Sequence, residues 1–456
     1  MTDELWLISL LVTWALTISY IVYQQLRHRV IDSGLIFAYL FQLSLIHLVG
    51  ATVHVFPWYI YPATGSAIVA AGFEQATYGI LALLFGLRFL TPVVFRLVNY
   101  SPPQPKISIL DPRLPSIYLI IGFLSYFVLF PFSQNIPTLS AVTAAMNQLM
   151  LVGMCLGLWQ SWHTRRLAVF AGWLALSAIL PLLTIVSQGF LSYGVAAFAT
   201  ILAFMSAFVH PRWRLVLAGV LMTYIGLSFY VSYFRDRASL RAIIWGGLPL
   251  ADRISGVVNT LQSIEPFNPL DQNHLIRIDN RLNQNYLVGA AVVNLQAGGI
   301  EYANGATLWE AVLALIPRAL WPDKPIVAGS GDIVTQYTGI PFARNTSVGV
   351  GQVMEFYINF GTTGVVIGFL AVGCVVGVLD YVAGQKLRQG DWEGMVLWYL
   401  PGLALLQTGG SLVEVTSTAA ASIVAVVIVN KLVLPLLRER QITHYVTDPH
   451  SDQEFL

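Results

Sequence analysis

The sequence predicts an all-α fold: a polytopic transmembrane helix bundle of about eleven spans, with one large loop domain that holds short helices of its own. Three observations predict it. Of 456 residues, 56% are hydrophobic and only 10% are charged, against roughly 25% charged in a soluble domain. Apolar runs of ~20 residues, the length that crosses a bilayer as a helix, recur along the chain. Lysine and arginine collect in alternate short loops, as the positive-inside rule requires.

The apolar runs fall near 4–24, 33–55, 66–90, 115–133, 141–162, 167–187, 190–209, 214–234, 361–384, 394–409 and 412–436. The tenth is short, which suits a tilted, broken or re-entrant segment. Arg27 and Arg29, then Arg96, Lys106 and Arg113, then Arg165 and Arg166, Arg212 and Arg214, Lys386 and Arg388, and Arg438 and Arg440 all fall on one side. The opposite short loops, 56–65, 133–140, 187–192 and 407–411, hold no lysine or arginine. This separation predicts an outside N-terminus and a cytoplasmic C-terminus. The chain then divides into N-terminal spans over 1–234, an outer loop domain over 235–360, C-terminal spans over 361–440 and a polar tail over 441–456. Ser101-Pro102-Pro103-Gln104-Pro105 reads as a turn-rich linker on the cytoplasmic side.

Composition narrows the function classes. A net charge of +1 gives no support to a nucleic-acid partner. Cys155 and Cys374 both lie inside apolar runs, where a core position is expected and not a disulfide or metal site. The Met-Thr-Asp-Glu start lacks a basic region and leads into a full-length span, so a removable signal peptide is not expected. Metal, nucleotide and cofactor motifs with supporting context are absent from the sequence, so no metal and no cofactor is expected.

The polar insert is where function is expected. It carries Arg235, Arg237, Arg241, Arg253, Arg277, Arg281, Arg318, Lys324 and Arg344. Long loops cross largely regardless of charge, so topology does not account for these cations. The alternative is pairing with Asp236, Asp252, Asp279, Glu301, Asp323 and Asp332. Within the insert, Asn283–Leu295 and Thr307–Ile316 have helical apolar spacing, the second with Trp309, Val312, Leu313 and Ile316 on one face. Pro317 is expected to end that helix, and Pro322 and Pro325 to keep the chain extended. Arg318 and Lys324 then sit on stiff, irregular backbone. Turns are expected at Gly329–Gly331 and Ile340-Pro341, and a helix from Val350 to Phe360 leads back into the membrane.

Guanidiniums match phosphate oxygens as planar forks of donors, so several at the lip of a bundle point to an anionic, lipid-linked substrate. Trp321 is a candidate platform for a sugar ring, although aromatics also belong at the membrane interface. Glu355, close to the apolar core, is the carboxylate best placed for a base; the alternative is a pair with Arg344. Asp279, between Arg277 and Arg281, reads as the partner that orients them. His47, His54, Glu74, Arg88 and Glu414 are ionisable groups inside spans and candidates by default. His54 and Glu414 fall at outer span ends, where they would line the same cavity as the insert.

Two stretches then carry a family likeness: Ile316-Pro317-Arg318 through Trp321-Pro322-Asp323-Lys324-Pro325, and Val350 through Gly361 with Gly364. A weaker third runs from Arg277 through Arg281 to Asn283-Gln284-Asn285. With them the chain resembles the Wzy-type O-antigen and exopolysaccharide repeat-unit polymerases, membrane glycosyltransferases of the GT-C type in the bacterial inner membrane. The resemblance implies a periplasmic active site, no nucleotide sugar, and donor and acceptor glycans linked to undecaprenyl diphosphate. It also implies a chain-length regulator and a flippase as partners. On this basis Arg318, Arg344 and Lys324 would clamp the diphosphate, Arg277 and Arg281 would assist or hold the acceptor's phosphate, and Glu355 would be the base. Rival readings are an O-antigen ligase, a transporter or flippase of lipid-linked sugars, and a scaffold without chemistry.

Overall fold

The computed structural model describes residues 3–27, 32–60, 65–100, 111–209, 213–316, 320–321, 323–324, 329–342 and 348–437. Arg318 and Arg344, the Ser101–Pro105 linker, Pro317, Pro322, Pro325 and the tail over 441–456 lie outside them. Among the described residues every regular element is a helix.

The chain begins with α1 (Asp3–Arg27), α2 (Leu35–Val53) and α3 (Gly65–Phe85), which continues through a π-helical turn into α4 (Thr91–Leu97). Next come α5 (Leu114–Leu124), which passes through a second π turn into α6 (Phe130–Ser133), then α7 (Pro137–Asn147) and α8 (Leu149–His163). These are followed by α9 (Leu167–Ala178), α10 (Leu180–Gln188), α11 (Ser192–Met205) and the long α12 (Trp213–Trp245). The insert holds α13 (Leu250–Gln262), α14 (Gln272–Leu282), α15 (Asn285–Gln296), α16 (Ala306–Ala314) and α17 (Ser330–Thr338). The chain closes with α18 (Gln352–Arg388), α19 (Trp392–Leu405) and α20 (Leu412–Ile428).

Eight helical stretches among the described residues are long and apolar enough to cross a membrane: Glu4–Gln24, Leu35–Val53, Gly65–Leu97, Leu114–Ser133, Thr138–His163, Leu167–Gln188, Gln352–Arg388 and Leu412–Leu437. Three of the eleven expected runs are not among them. Helices α11 and α19 have 14 residues each, or about 21 Å at 1.5 Å per residue, short of a ~30 Å hydrocarbon core. The third, α12, is a helix of 33 residues that runs through the expected boundary at 234–235. Arg235, Asp236, Arg237 and Arg241 therefore ride on its final turns and not on a loop.

The insert is not a separate body. Helix α15 buries Val288, Ala291, Val292 and Leu295 in the same core as Trp14, Phe73 and Phe369 of the spans. The sequence reason is a reciprocal pair of glycines. A Cβ on Gly72 would strike the Asn285 carbonyl of α15, and one on Gly289 would strike the Ile68 carbonyl of α3. Without side chains at these positions the two backbones touch. A second core, around Tyr118, Phe204, Trp392 and Tyr399, joins α5, α8, α11 and α19.

The sequence spacing placed α15 and α16 within a residue or two of their observed bounds and missed α13, α14 and α17. Gly331, expected in a turn, lies inside α17. The expected helix from Val350 to Phe360 is present from Gln352, but it ends where Phe360 (φ −143°, ψ 25°) and Gly361 (φ 61°, ψ −150°) leave helical geometry. The Gly361 conformation is one that only glycine adopts readily. Residues 352–359 thus form a half-helix, every residue of it buried, ahead of the span proper.

The insert meets the loops that follow α2, α10 and α19 at one end of the bundle. Trp58 Nε1 donates to the Pro269 carbonyl at 2.9 Å, Trp245 Nε1 to the Gln188 carbonyl at 3.2 Å, and Gln352 N to the Thr408 carbonyl at 3.0 Å. The glycine contact can be tested. Gly72→Ala or Gly289→Ala is expected to cost about 1–3 kcal/mol by overpacking. Thermal unfolding in detergent should show a lowered midpoint for both, whereas Gly172→Ala, with nothing within 4 Å of its Cβ position, should leave it unchanged.

Candidate functional site

Helices that end inside an apolar bundle leave orphan N–H and C=O groups with no water to take them. Here side-chain amides serve that purpose at the end of the bundle that holds the insert. Gln284 Nε2 donates to the carbonyls of Gly349 (2.8 Å) and Val350 (3.1 Å), and Gln284 N donates to the Ile46 carbonyl (2.8 Å). Gln352 Nε2 donates to the Leu405 carbonyl at 3.2 Å, while its Oε1 accepts from the Tyr39 hydroxyl at 2.6 Å. Asn285 Nδ2 donates to the His47 carbonyl at 2.7 Å, and its Oδ1 lies 2.7 Å from His47 Nδ1. These bonds fix the half-helix over 352–359 against the loop between α19 and α20.

Glu355 sits in the middle of that half-helix, fully buried. Its Oε2 accepts from Leu412 N, the first residue of α20, at 2.6 Å. A carboxylate at a helix start is favoured by the unpaired amides and the helix dipole. Oε1 has no hydrogen-bond partner among the described residues. Such an atom is rare in a folded interior, where nearly all buried polar groups are paired. Thr307 of α16 stands close by, and Glu414 and Glu310 are near enough to act on the carboxylate electrostatically. Asn359, also fully buried, locks this wall: its Nδ2 donates to Thr307 Oγ1 and to the Glu355 carbonyl, both at 2.7 Å, and its Oδ1 accepts from Gly305 N at 2.9 Å.

Glu414 shares the same helix start. Ser411 and Glu414 form a capping box, in which Ser411 N donates to Glu414 Oε2 at 3.1 Å and Glu414 N to Ser411 Oγ at 3.3 Å. Glu414 Oε1 accepts from Ser330 Oγ at 3.0 Å, which ties α17 to α20. Lys324 Nζ donates to the Ile316 carbonyl at 3.1 Å, just past the end of α16, a favourable place for a cation. Trp321 is 37% exposed.

The remaining predicted residues form a second group on α14 and the end of α2. Asp279 does not serve as the orienting partner of Arg277 and Arg281 that the sequence suggested. Its side chain turns inward, where Oδ1 lies 2.9 Å from His54 Nε2 and accepts from Asn283 Nδ2 at 2.6 Å, and Oδ2 accepts from the Tyr59 hydroxyl at 2.9 Å. The helical period explains this: Asp279 falls on the buried face with Leu275, Ile278 and Leu282, and the flanking arginines fall on other faces. Arg277 Nη1 donates to the Val231 carbonyl at 3.2 Å. The Arg281 guanidinium lies 5.7 Å from the Phe234 ring centre, with that of Arg237 at 5.2 Å.

Arg237 was left without a role by sequence reasoning. Burial, and then the guanidiniums of Arg281 and Arg241, weaken its hold on its proton. Its Nε is buried with no hydrogen-bond partner among the described residues. Arg235 is the contrast, since Asp236 grips it with two bonds of 2.8 Å and Glu265 adds another of 2.5 Å. In return Arg235 holds the Glu265 carboxyl below its usual range.

The structure therefore divides the predicted site. Glu355 and Glu414 gather at the start of α20, while Lys324 bonds the Ile316 carbonyl just past the end of α16. His54, Asp279, Arg277 and Arg281 gather around α14. The short stretch Asn283-Gln284-Asn285 joins them, because Asn283 bonds Asp279 and Gln284 bonds the turn ahead of Glu355. Among the described residues no hydrogen bond or ion pair links Glu355 to a cation, and no group of side chains is arranged to hold a metal. Thr307, Asn359 and Gln284 were missed. Asn359 was legible as a polar residue four positions after Glu355 in an apolar run, and Gln284 lay in a stretch of the family likeness but was given no role; Thr307 gave no signal of its own.

The fold and this end of the bundle define a class: an all-α membrane protein whose broken helices enclose a buried carboxylate beside a polar insert. Residues 80–436 match a family described as a domain of unknown function, DUF8712, and the chain belongs to that family. No curated protein and no solved structure matches the chain.

The Asp279 assignment makes a prediction. In a double-mutant cycle, His54→Ala and Asp279→Ala should be coupled by about 0.5–3 kcal/mol. Asp279→Ala and Arg281→Ala should instead add. Thermal midpoints of the purified variants decide between them.

Proposed function

We propose that this protein is a membrane glycosyltransferase that polymerises oligosaccharide repeat units carried on undecaprenyl diphosphate, with its site on the extracytoplasmic side. The observation that carries the reading is Glu355: a buried carboxylate held through one oxygen by a helix start, its other oxygen unclaimed among the described residues. In this reading Glu355 takes the proton of an acceptor-sugar hydroxyl as that oxygen bonds to the donor's anomeric carbon. The bond from that carbon to the diphosphate breaks, and its electron pair leaves with the polyprenyl diphosphate. Charge developing there calls for cations, which this reading assigns to Arg277 and Arg281 with Arg318, Arg344 and Lys324. Glu414 and His54 shape the two halves of the site, and Trp321 faces a sugar. The side is assigned from Arg96, Arg113, Arg165, Arg166, Lys386 and Arg388, which belong to the end of the bundle opposite the insert.

One observation favours a second reading. The break in α18 at Phe360 and Gly361 is the kind of discontinuity that transporters use to build midplane substrate sites. A flippase of lipid-linked sugars would use it without forming a glycosidic bond.

Purified protein in detergent with an undecaprenyl-diphosphate-linked repeat unit should yield a ladder of products on a gel. Glu355→Gln should reduce ladder formation by about 10²–10⁴-fold at unchanged protein level. Arg318→Ala should reduce it by about 10²–10³-fold. Wild-type ladders from either variant would remove that residue from the mechanism. Absence of any ladder, with movement of the glycolipid in vesicles, would favour the transporter. Long polymer accumulating on carrier lipid in a knockout would indicate a ligase.

A further inference from the structure

We infer that α16, although it lies in the polar insert and is too short to span, is immersed in the bilayer. Its face bearing Trp309, Val312 and Ile316 would contact acyl chains. This inference does not depend on the chemistry assigned to Glu355.

Helix α16 is apolar on two opposite sides. Thr307, Ala311 and Ala314, spaced at four and three residues, are buried, and the Ala311 carbonyl accepts from Thr416 Oγ1 of α20 at 2.7 Å. The other side is bare: Trp309 is 62% exposed, Val312 51%, Ile316 39% and the following Leu320 79%. The sequence pattern that placed Trp309, Val312 and Ile316 on one face is correct, but that face points out of the protein. Glu310, partly buried, is the one charged residue of α16. A helix apolar on both its inner and outer sides is stable only when protein or lipid covers each of them, and an exposed apolar ridge in water would promote association.

Bilayer is the occupant that the surroundings favour. Helix α16 rests on α20, whose Ile423, Val424 and Val427 are 40–48% exposed along the span. At its start, a Cβ on Gly305 would lie 3.2 Å from the Phe360 ring, and Phe360 is 50% exposed just ahead of the span residue Ile367, 61% exposed. The apolar surface of α16 is thus continuous with that of two spans. Its far end is marked by Lys324 on the Ile316 carbonyl and by the half-exposed Trp321, residue types that belong at a membrane–water boundary. A single helix then separates Glu355 from lipid, with Thr307 on its inner side and Trp309 on its outer side. Any ligand of Glu355 bearing an acyl or prenyl tail would reach it without crossing water.

Spin labels test this in phosphatidylcholine–phosphatidylglycerol nanodiscs. Single cysteines W309C, V312C and I316C, and the solvent-facing control N280C, would be placed in a background with Cys155 and Cys374 replaced by alanine. Collision with dissolved oxygen should exceed collision with an aqueous nickel chelate at 309, 312 and 316, and the order should reverse at 280. Greater access to nickel at 312 and 316 would place α16 in water and overturn the inference. Low access to both reagents would show protein cover, by a second copy or another partner, and would also overturn it. If the labelled variants do not fold, brominated lipid should quench wild-type tryptophan fluorescence more than that of Trp309→Phe. Equal quenching would overturn the inference.

Discussion

The polar backbone of a helix that stops inside an apolar bundle must find partners from the protein itself. That constraint organises the described end of this molecule. Gln284, Gln352 and Asn359 meet it, each placing an amide on open carbonyls or N–H groups of another element, and Asn285 adds a bond to the His47 carbonyl inside α2. Their bonds join α2, α15, α18, the start of α16 and the loop between α19 and α20. The position of Glu355 is a consequence. Its own carboxylate answers the first amide of α20, and the half-helix carrying it is held at both ends by amide side chains. The same requirement accounts for the location of the polar residues: they stand where helices break.

The two glycines at the contact between α3 and α15 set a second condition. Because Gly72 and Gly289 let the two backbones touch, α15 enters the bundle and brings Asn283, Gln284 and Asn285 with it. The insert is thereby anchored from within. Among the described arginines of the insert, by contrast, Arg235 on α12 is held by Asp236, Glu265 and Ser263, and Arg237 on α12 and Arg281 on α14 both lie near the Phe234 ring.

Helix α16 connects the interior to the surroundings. Its inner face completes the wall beside Glu355 through Thr307, which Asn359 of α18 holds, and its outer face is apolar like the spans it adjoins. Polar chemistry and lipid are thus brought within one helix diameter of each other.

Periodicity and hydropathy alone determined the all-α class and located the eight long apolar helices, though among eleven expected runs. They also determined α15, α16 and the half-helix before Phe360, because side-chain spacing is a local property. The capping box at Ser411 and Glu414 was equally open to reading from four adjacent residues. Spacing could not decide which way a face points: Trp309, Val312 and Ile316 look outward, and Asp279 looks inward to His54. Nor could length and composition show that α12 runs on past residue 234 or that α15 lies in the core. Those outcomes depend on which backbones approach and on which buried polar group finds a partner far away in sequence, such as Leu412 for Glu355 or His54 for Asp279. Only the tertiary structure brings such groups together, since the energy of burying a charge is set by its neighbours in space.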